Sequence, residues 1–306
     1  LHLGDITKIS GAEVPPVDVI TFGSPCQDLS QIGTRNGFAG KKSSLFYQAM
    51  RIIEEMRYAT NGRYPAFCIW ENVAGAFSSN DRLDFAAMLR AFTGAEVSVP
   101  PRGWAHAGMV RGGRADTAWR LLDAQYWGEP ALVQRRKRVF VVADFTGQRA
   151  GEVLFKPRTV LPFSAASGPG GLSAAQRGGV PAAQTGRQVP IVRPFSLRRM
   201  RTMAQVGDQK GFCASFGRGG EPFPTLLASV TSPFSFWYEG EEQDGFLRVL
   251  TPLECERLMG LPENWTKYGC KNEEISDHAR YRALGNSIAL PCAEYVMAGI
   301  AEVMGE

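Results

Sequence analysis

The sequence predicts an α/β protein with a parallel sheet and a second, smaller part that is rich in β-structure. Two runs of apolar, β-branched and aromatic residues, at 17–22 and 65–70, are typical of buried strands. Apolar residues recur at helical spacing between them, and strands that alternate with helices predict βαβ units in a parallel sheet. From 190 to 247 no long helical period is present, and aromatic residues stand among glycines and prolines. This stretch predicts a small, irregular β-rich domain.

The other elements follow from the same patterns. An unbroken apolar run after a basic cluster predicts a third strand at 138–143. Residues 33–40 are rich in glycine and predict a mobile loop, and residues 165–188, which are almost entirely Gly, Ala, Ser, Pro and Gln, predict a linker. Helices are predicted at 45–56, 81–92, 252–259 and 286–303.

Composition excludes several classes of protein. The chain has 306 residues with 44% hydrophobic and 21% charged residues, which is ordinary for a globular protein, and no window resembles a membrane span or a signal peptide. Its six cysteines are scattered without a CxxC pair, which favours reduced thiols in the cytoplasm over disulfides, and no metal site is predicted. Between 133 and 201, eleven Arg and two Lys stand against two acidic residues, a local excess that suits a polyanion or a solvated basic surface.

The segment Gly-Ser-Pro-Cys-Gln-Asp-Leu-Ser at 23–30 directly follows the first predicted strand. Gly23 ends the strand and Pro25 fixes the backbone before Cys26, so the cysteine is predicted on a stiff loop at the carboxyl end of a strand. Ligands bind at that end of α/β sheets. Cys26 is therefore either a nucleophile or a buried structural cysteine on a turn, and this octapeptide alone does not decide between them.

Two further polar clusters stand at predicted strand ends. Glu71-Asn72-Val73 follows the second strand and Gln-Arg-Arg-Lys-Arg at 134–138 precedes the third, so both are expected to meet Cys26 in one cleft. Each cluster also has a plainer interpretation. Glu71 suits a helix N-terminus, and the arginines suit ordinary phosphate contacts.

Together with the segment Arg248–Pro262 and with Gly285-Asn286-Ser287, these motifs in this order resemble the cytosine-C5 DNA methyltransferase family. The resemblance covers most of the chain outside about 150–245, and it is closest to the phage-associated and restriction–modification branch. It implies a Rossmann-like, S-adenosylmethionine-dependent methyltransferase sheet. It also implies an enzyme that methylates C5 of a cytosine flipped out of duplex DNA.

The resemblance assigns a role to each catalytic candidate. The Cys26 thiolate adds to C6 of the base, Glu71 acts as an acid near N3, and Arg136 and Arg138 hold the O2 side and orient the other two groups. Positive charge of these arginines would favour the thiolate. The glycine-rich loop at 33–40 would close over the flipped base.

The methyl donor implied by the resemblance is S-adenosylmethionine. The residues that match its binding site in the family are Asp5, Ile6, Gly23, Pro25, Leu45, Asn286 and Ser287. The family's glycine-rich turn and its acidic ribose ligand precede the position of Leu1, so the sheet is predicted to be N-terminally incomplete. We expect this chain to bind the cofactor weakly and to have little activity alone.

The resemblance divides the chain into a catalytic domain, 1–145 plus 268–306, and a target-recognition domain, 146–267. The predicted DNA contacts are Gln27, Ser30, Arg193, Arg198, Arg199 and Arg201. The expected partner is double-stranded DNA, bound by a monomer in the cytoplasm of a bacterial or phage-infected cell. A non-catalytic DNA-binding remnant and an RNA cytosine-C5 methyltransferase remain alternatives. A cysteine hydrolase is disfavoured because all three histidines lie outside the motifs.

Overall fold

The computed structural model describes residues 3–24, 45–156, 223, 225–226 and 249–305, and gives the backbone alone at 191–195, 235–239 and 246–248. The predicted loop at 33–40 and the predicted linker at 165–188 lie outside these residues. The chain divides into two compact units. The first contains 1–122, 137–157 and 296–306, and the second contains 123–136 and 158–295. The predicted division into catalytic and target-recognition domains is drawn by function and stays a prediction.

The secondary structure alternates between strands and helices in the first half of the chain. The strands are β1 (Val19–Gly23), β2 (Phe67–Val73), β3 (Ala107–Arg111), β4 (Asp116–Asp123), β5 (Lys137–Asp144), β6 (Ile191–Phe195), β7 (Ser235–Glu239) and β8 (Phe246–Val249). The α-helices are α1 (Leu45–Ala59), α2 (Leu83–Thr93), α3 (Ala150–Leu154), α4 (Pro252–Leu258), α5 (Asp277–Asn286) and α6 (Leu290–Met304). The predicted strands at 17–22, 65–70 and 138–143 correspond to β1, β2 and β5.

The main sheet has five strands in the order β1-β2-β5-β4-β3. β1 and β2 are parallel and joined through α1, as the sequence predicts. The prediction of a parallel sheet is wrong for β5, which runs antiparallel to β2. A strand enters a parallel sheet through a crossover connection, usually a helix. β5 is reached directly from β4, through a loop with only a short 3-10 helix at Ala124–Tyr126, so it is not the second strand of a βαβ unit. The sheet is therefore mixed.

Helices cover both faces of this sheet. The side chains of Trp70 and Phe67 leave β2 on opposite faces because strand residues alternate. Trp70 packs edge-on against Phe46 of α1, with ring centroids 6.4 Å apart, and also contacts Phe85 of α2. Phe67 lies under the guanidinium of Arg149, directly before α3. The first unit is therefore a three-layer α/β structure, and in such sheets ligands bind at the carboxyl ends of the strands.

Two helix boundaries differ from the predictions. The helix expected at 81–92 begins at Leu83, because Asn80, Asp81 and Arg82 have positive φ angles of 47°, 51° and 72°. The helix expected at 286–303 corresponds to α6, which begins four residues later at Leu290, and α5 before it is not predicted by the sequence patterns. Pro291 stands in the first turn of α6, where its missing N–H costs nothing.

The second unit contains a separate three-stranded sheet in the order β6-β7-β8, with antiparallel neighbours. It lies in the stretch predicted to be β-rich. α4 matches the helix predicted at 252–259, and the side chains of Thr251 and Glu254 cap it reciprocally. In the described part of the chain no single helix could cross a membrane by length and hydropathy, although the bent pair α5 and α6 passes that test together.

A buried carboxylate organises the C-terminal part of the second unit. Glu256 is fully buried and accepts hydrogen bonds from the backbone N–H groups of Asn264 and Thr266 and from the Thr266 hydroxyl. The Arg280 guanidinium lies 3.0 Å away. Burial alone would raise the pKa of Glu256, but the bonds from Thr266, Arg280 and Asn264 outweigh it and hold the pKa below its ordinary value. This group therefore stabilises the fold while it is ionised.

We expect Glu256→Gln to lower the free energy of unfolding at pH 7 by about 3–5 kcal/mol, because it leaves the Arg280 charge buried without its carboxylate. The contribution of Glu256 is present at neutral pH and lost as the pH falls below about 4.3 towards its lower folded-state pKa. Urea unfolding from pH 7 to pH 3 measures both effects. Glu263→Gln is the matched control, since that exposed carboxylate pairs with Arg257 at the surface and should cost under about 1 kcal/mol. Equal stability of the two variants would contradict the expectation.

Candidate active site

The ends of three strands form one edge of the main sheet. Gly23, the last residue of β1, pairs directly with Glu71 of β2, and Val73 of β2 pairs with Arg138 of β5. A side chain at Gly23 would place its Cβ 3.3 Å from the Glu71 carbonyl oxygen and 3.6 Å from Glu71 Oε2. Glycine at this position therefore keeps a second side chain away from the Glu71 carboxylate.

Glu71 and Arg138 form an ion pair across β2 and β5. Arg138 Nε lies 2.9 Å from Glu71 Oε1, and the two side chains are 14% and 12% exposed. The two residues are diagonal neighbours on one face of an antiparallel pair, a separation that long side chains span. The ion pair thereby holds the Glu71 carboxylate at the end of β2, through an arginine that lies 67 residues later in the sequence.

The opposite face of β2 holds the beginning of the cysteine-containing segment. Trp70 Nε1 donates to Ser24 Oγ at 3.1 Å, and Asn72 Nδ2 donates to the Ser24 carbonyl at 2.8 Å. Ser24 is only 6% exposed. Two side chains of β2 therefore fix the residue that precedes Pro25. Sequence reasoning did not assign these roles to Trp70, Ser24 or Asn72, although Asn72 lies inside a motif that it singled out.

Several predicted site residues have no described side chain. Arg193 is given by its backbone within β6, and the others lie outside the described residues: Pro25, Cys26, Gln27, Ser30, Arg198, Arg199 and Arg201. Their roles stay predictions.

The described cysteines are poor candidates for a nucleophile. Burial raises the pKa of Cys68 far above its ordinary value and raises the pKa of Cys255 to about 12, and Cys292 is buried as well. The thiols of Cys68 and Cys255 therefore stay protonated at neutral pH. Cys270 is exposed, in a segment that matches no catalytic motif.

Arg136 has a different environment, within the second unit. It is 1% exposed, and its guanidinium donates to three backbone carbonyl oxygens. Nη1 donates to Leu226 at 3.0 Å, and Nη2 donates to Gly285 at 3.0 Å and to Ser287. Arg136 therefore links the C-terminal end of α5 to the segment before β5 and to Leu226, all within the second unit. Its predicted contact with the base stays a prediction, but these bonds alone give it a clear role in positioning Asn286 and Ser287.

The described candidates for cofactor binding lie in both units. Asp5 is exposed and caps a 3-10 turn, where hydrogen bonds from the backbone and side chain of Thr7 lower its pKa. The Ile6 carbonyl accepts from Arg51 of α1, the helix that begins at the exposed Leu45. In the second unit Asn286 is exposed, and the buried Ser287 hydroxyl has no hydrogen-bond partner among the described residues.

A model of the C-5 cytosine-specific DNA methylases matches residues 1–158 and 195–302. The chain belongs to the C-5 cytosine-specific DNA methylase family. The match confirms the resemblance drawn from the motifs, and it extends into the β-rich segment that sequence reasoning found least typical of the family.

Relatives of this chain include proteins of bacteria and phages. The type II methyltransferase M.BsuFI of Bacillus subtilis is 25% identical in an alignment that covers 98% of this chain and 61% of that protein. A protein of Escherichia phage P1 named DNA N-6-adenine-methyltransferase is 22% identical in an alignment that covers 96% of this chain and 54% of that protein. The chain thus spans between half and two thirds of the length of these relatives.

Solved structures share the fold. The S. pombe Dnmt2 methyltransferase has a TM-score of 0.54 at 15% identity, covering 99% of this chain and 84% of that chain. A methyltransferase from Entamoeba histolytica, EhMeth, has a TM-score of 0.55 at 13% identity, covering 100% of this chain and 84% of that chain. These similarities confirm the predicted α/β fold of a Rossmann-like methyltransferase.

We expect Arg136→Lys to destabilise the protein by about 3 kcal/mol, because one ammonium group cannot reach three carbonyl oxygens that a guanidinium bridges. Urea unfolding measures the loss, and amide hydrogen exchange should accelerate at 285–287. Arg135→Lys is the control, since Arg135 is exposed and bonds to Phe223 and Thr225 through its backbone. Wild-type stability of Arg136→Lys would contradict the role of the guanidinium.

Proposed function

We propose that the chain is a DNA (cytosine-5)-methyltransferase that uses S-adenosylmethionine. The observation that carries the proposal is the sheet edge at which Glu71, paired with Arg138, faces the end of β1. Cys26 follows the fixed Ser24 by two residues, and two residues of chain span about 7 Å at most. The carboxylate of Glu71 and the guanidinium of Arg138 lie at this end of the sheet, and we propose that Cys26 acts beside them in addition to a pyrimidine ring.

The residues divide the chemistry among them. Cytosine C5 is too weak a nucleophile to accept a methyl group directly, so the Cys26 thiolate adds to C6 while Glu71 supplies a proton to N3. This addition forms the C6–S bond and makes C5 nucleophilic. S-adenosylmethionine supplies the methyl group as an electrophile. The C5 proton then passes to a water molecule, the N3 proton returns to Glu71, and the C6–S bond breaks, which releases the Cys26 thiolate and restores the aromatic ring. Arg138 orients Glu71 throughout and faces the O2 side of the base.

The residues near the cofactor candidates fit a polar ligand. The Ser287 hydroxyl is buried without a partner among the described residues, and the exposed Asn286 precedes it on the same turn. Arg136 holds this turn through the flanking carbonyl groups of Gly285 and Ser287. We assign Asn286 and Ser287, with Asp5, Ile6, Gly23, Pro25 and Leu45, to the S-adenosylmethionine site. Arg136 acts by positioning.

Duplex DNA is the proposed substrate. The excess of arginine between 133 and 201 favours binding of a polyanion, and the family's own name specifies DNA. We propose that 146–267 recognises the target, with Gln27, Ser30, Arg193, Arg198, Arg199 and Arg201 in contact with DNA. The chain would act as a monomer in the cytoplasm of a bacterial or phage-infected cell. The name of the phage P1 relative makes adenine the alternative target base, which product analysis distinguishes.

A duplex that carries 5-fluorocytosine tests the nucleophile, the base and the substrate together. With saturating S-adenosylmethionine we expect a denaturation-resistant adduct at Cys26, identified by peptide mass spectrometry and absent from Cys26→Ser. The buried Cys68 provides the matched control, because Cys68→Ser should leave the adduct intact. Nucleoside analysis of unmodified DNA should yield 5-methylcytosine.

Other outcomes of this experiment would contradict the proposal in different ways. Salt-dependent DNA binding without any adduct would favour the non-catalytic remnant. An adduct with tRNA but not with duplex DNA would favour an RNA methyltransferase, and N6-methyladenine as the product would exclude the cytosine assignment.

We expect Glu71→Gln to lower kcat by about 10²- to 10⁴-fold, the usual contribution of a positioned acid. Arg138→Lys should lower kcat by about tenfold, because the ammonium keeps the charge but loses the planar contact with Glu71. Single-turnover transfer of labelled methyl groups measures both, with DNA affinity measured in parallel. Glu54→Gln changes an exposed carboxylate on α1 and should leave kcat unchanged. Unaltered turnover of Glu71→Gln would rule out its role as the acid.

A further inference from the structure

An unusual turn follows β2 at the same end of the sheet. Asn80, Asp81 and Arg82 are three consecutive residues in the left-handed region. Asn and Asp tolerate this conformation, but arginine is uncommon there and glycine would fit with less strain. The turn 78–82 is nevertheless well held, because the buried Asp84 accepts hydrogen bonds from Ser79 Oγ and Asn80 Nδ2.

The Arg82 side chain lies against a second loop. Its Nη1 is 3.5 Å from the Pro101 carbonyl oxygen, and a Cβ placed on Gly103 would be 3.3 Å from its Cζ. Trp104 Nε1 donates to the Arg82 carbonyl at 3.0 Å and joins the two loops. Arg102, between Pro101 and Gly103, is exposed, so two guanidinium groups stand on adjoining loops.

Each of these loops exposes an arginine that forms no ion pair with another described residue. Within the described segments, neither Arg82 nor Arg102 has a carboxylate within ion-pair distance. Lys137, exposed at the beginning of β5 next to the end of β2, adds a third positive charge at this end of the sheet. Asp81 is the one acidic residue of the turn 78–82. Like charges on adjacent exposed loops repel each other, and an anion bound between them would relieve that repulsion.

We propose that the turn 78–82 and the loop 101–103 bind the sugar–phosphate backbone of the duplex beside the target base. Arg82 and Arg102 would each contact a phosphate group. The inference rests on the proposed function and adds a DNA contact outside 146–267, on the catalytic side of the chain. It also gives a reason for arginine at a position where glycine is less strained, since strain persists where a side chain has a function.

Binding of an unmodified duplex by the full chain, measured by fluorescence anisotropy from 50 to 300 mM salt, tests the proposal. Arg82→Gln and Arg102→Gln should each reduce the slope of log K against log salt by about 1, whereas Arg82→Lys should preserve it. Asp81→Asn should strengthen DNA binding, because it removes a negative charge from the turn and asparagine tolerates the left-handed conformation as aspartate does. Arg63→Gln removes an exposed charge that precedes β2, at the other end of the sheet, and should leave the slope unchanged.

Arg82→Gly separates charge from strain, because it should weaken binding as Arg82→Gln does while raising Tm by about 2 °C. Unchanged slopes in the Arg82 and Arg102 variants, with normal binding by the wild type, would overturn the phosphate contacts and leave the proposed function intact. Absence of salt-dependent DNA binding by the wild type would overturn both.

Discussion

The register of three strands is the constraint on which the candidate site depends. Gly23 pairs with Glu71 because β1 and β2 are parallel, and Arg138 reaches Glu71 because β5 is antiparallel. A shift of one residue in either pairing would turn Glu71 to the other face of the sheet and separate it from Arg138. The site therefore depends on the strand pairing of the core, where 67–70 of β2 and 139–143 of β5 are continuous buried runs.

The alternation along β2 also separates two tasks. Trp70 and Asn72 point to one face and hold Ser24, while Glu71 points to the other face and pairs with Arg138. One strand end thus fixes the start of the cysteine-containing segment and presents the carboxylate beside it. The two tasks interfere little, because side chains on opposite faces of a strand do not compete for space.

Sequence patterns predict those features that depend on local periodicity. β1, β2, β5 and α1 follow from apolar runs and helical spacing, and Glu71 and Arg138 lie near the end of β2 and the beginning of β5, within the strands themselves. Strand direction does not follow from such patterns. The connection from β4 to β5 is too short for a crossover helix, which indicates that β5 does not belong to a βαβ unit. The apolar periodicity of β5 itself is the same whether the strand is parallel or antiparallel to its neighbour. Likewise, the apolar spacing of 286–303 does not reveal that α5 ends at Asn286 and that α6 begins only at Leu290.

Neighbouring arginines show the same limit of sequence reasoning. Arg136 and Arg138 occupy equivalent positions of an extended segment and received one predicted role. Arg138 lies inside β5 and meets a carboxylate, whereas Arg136 precedes the strand and is buried among carbonyl groups from segments 90 to 151 residues away. These partners come from long-range packing, which a single sequence does not encode in any local pattern. The strained turn at Arg82 belongs to the same class. The buried Asp84 and the indole of Trp104 hold it from outside the turn, so its conformation is set by the surroundings and its side chain remains available for a function of its own.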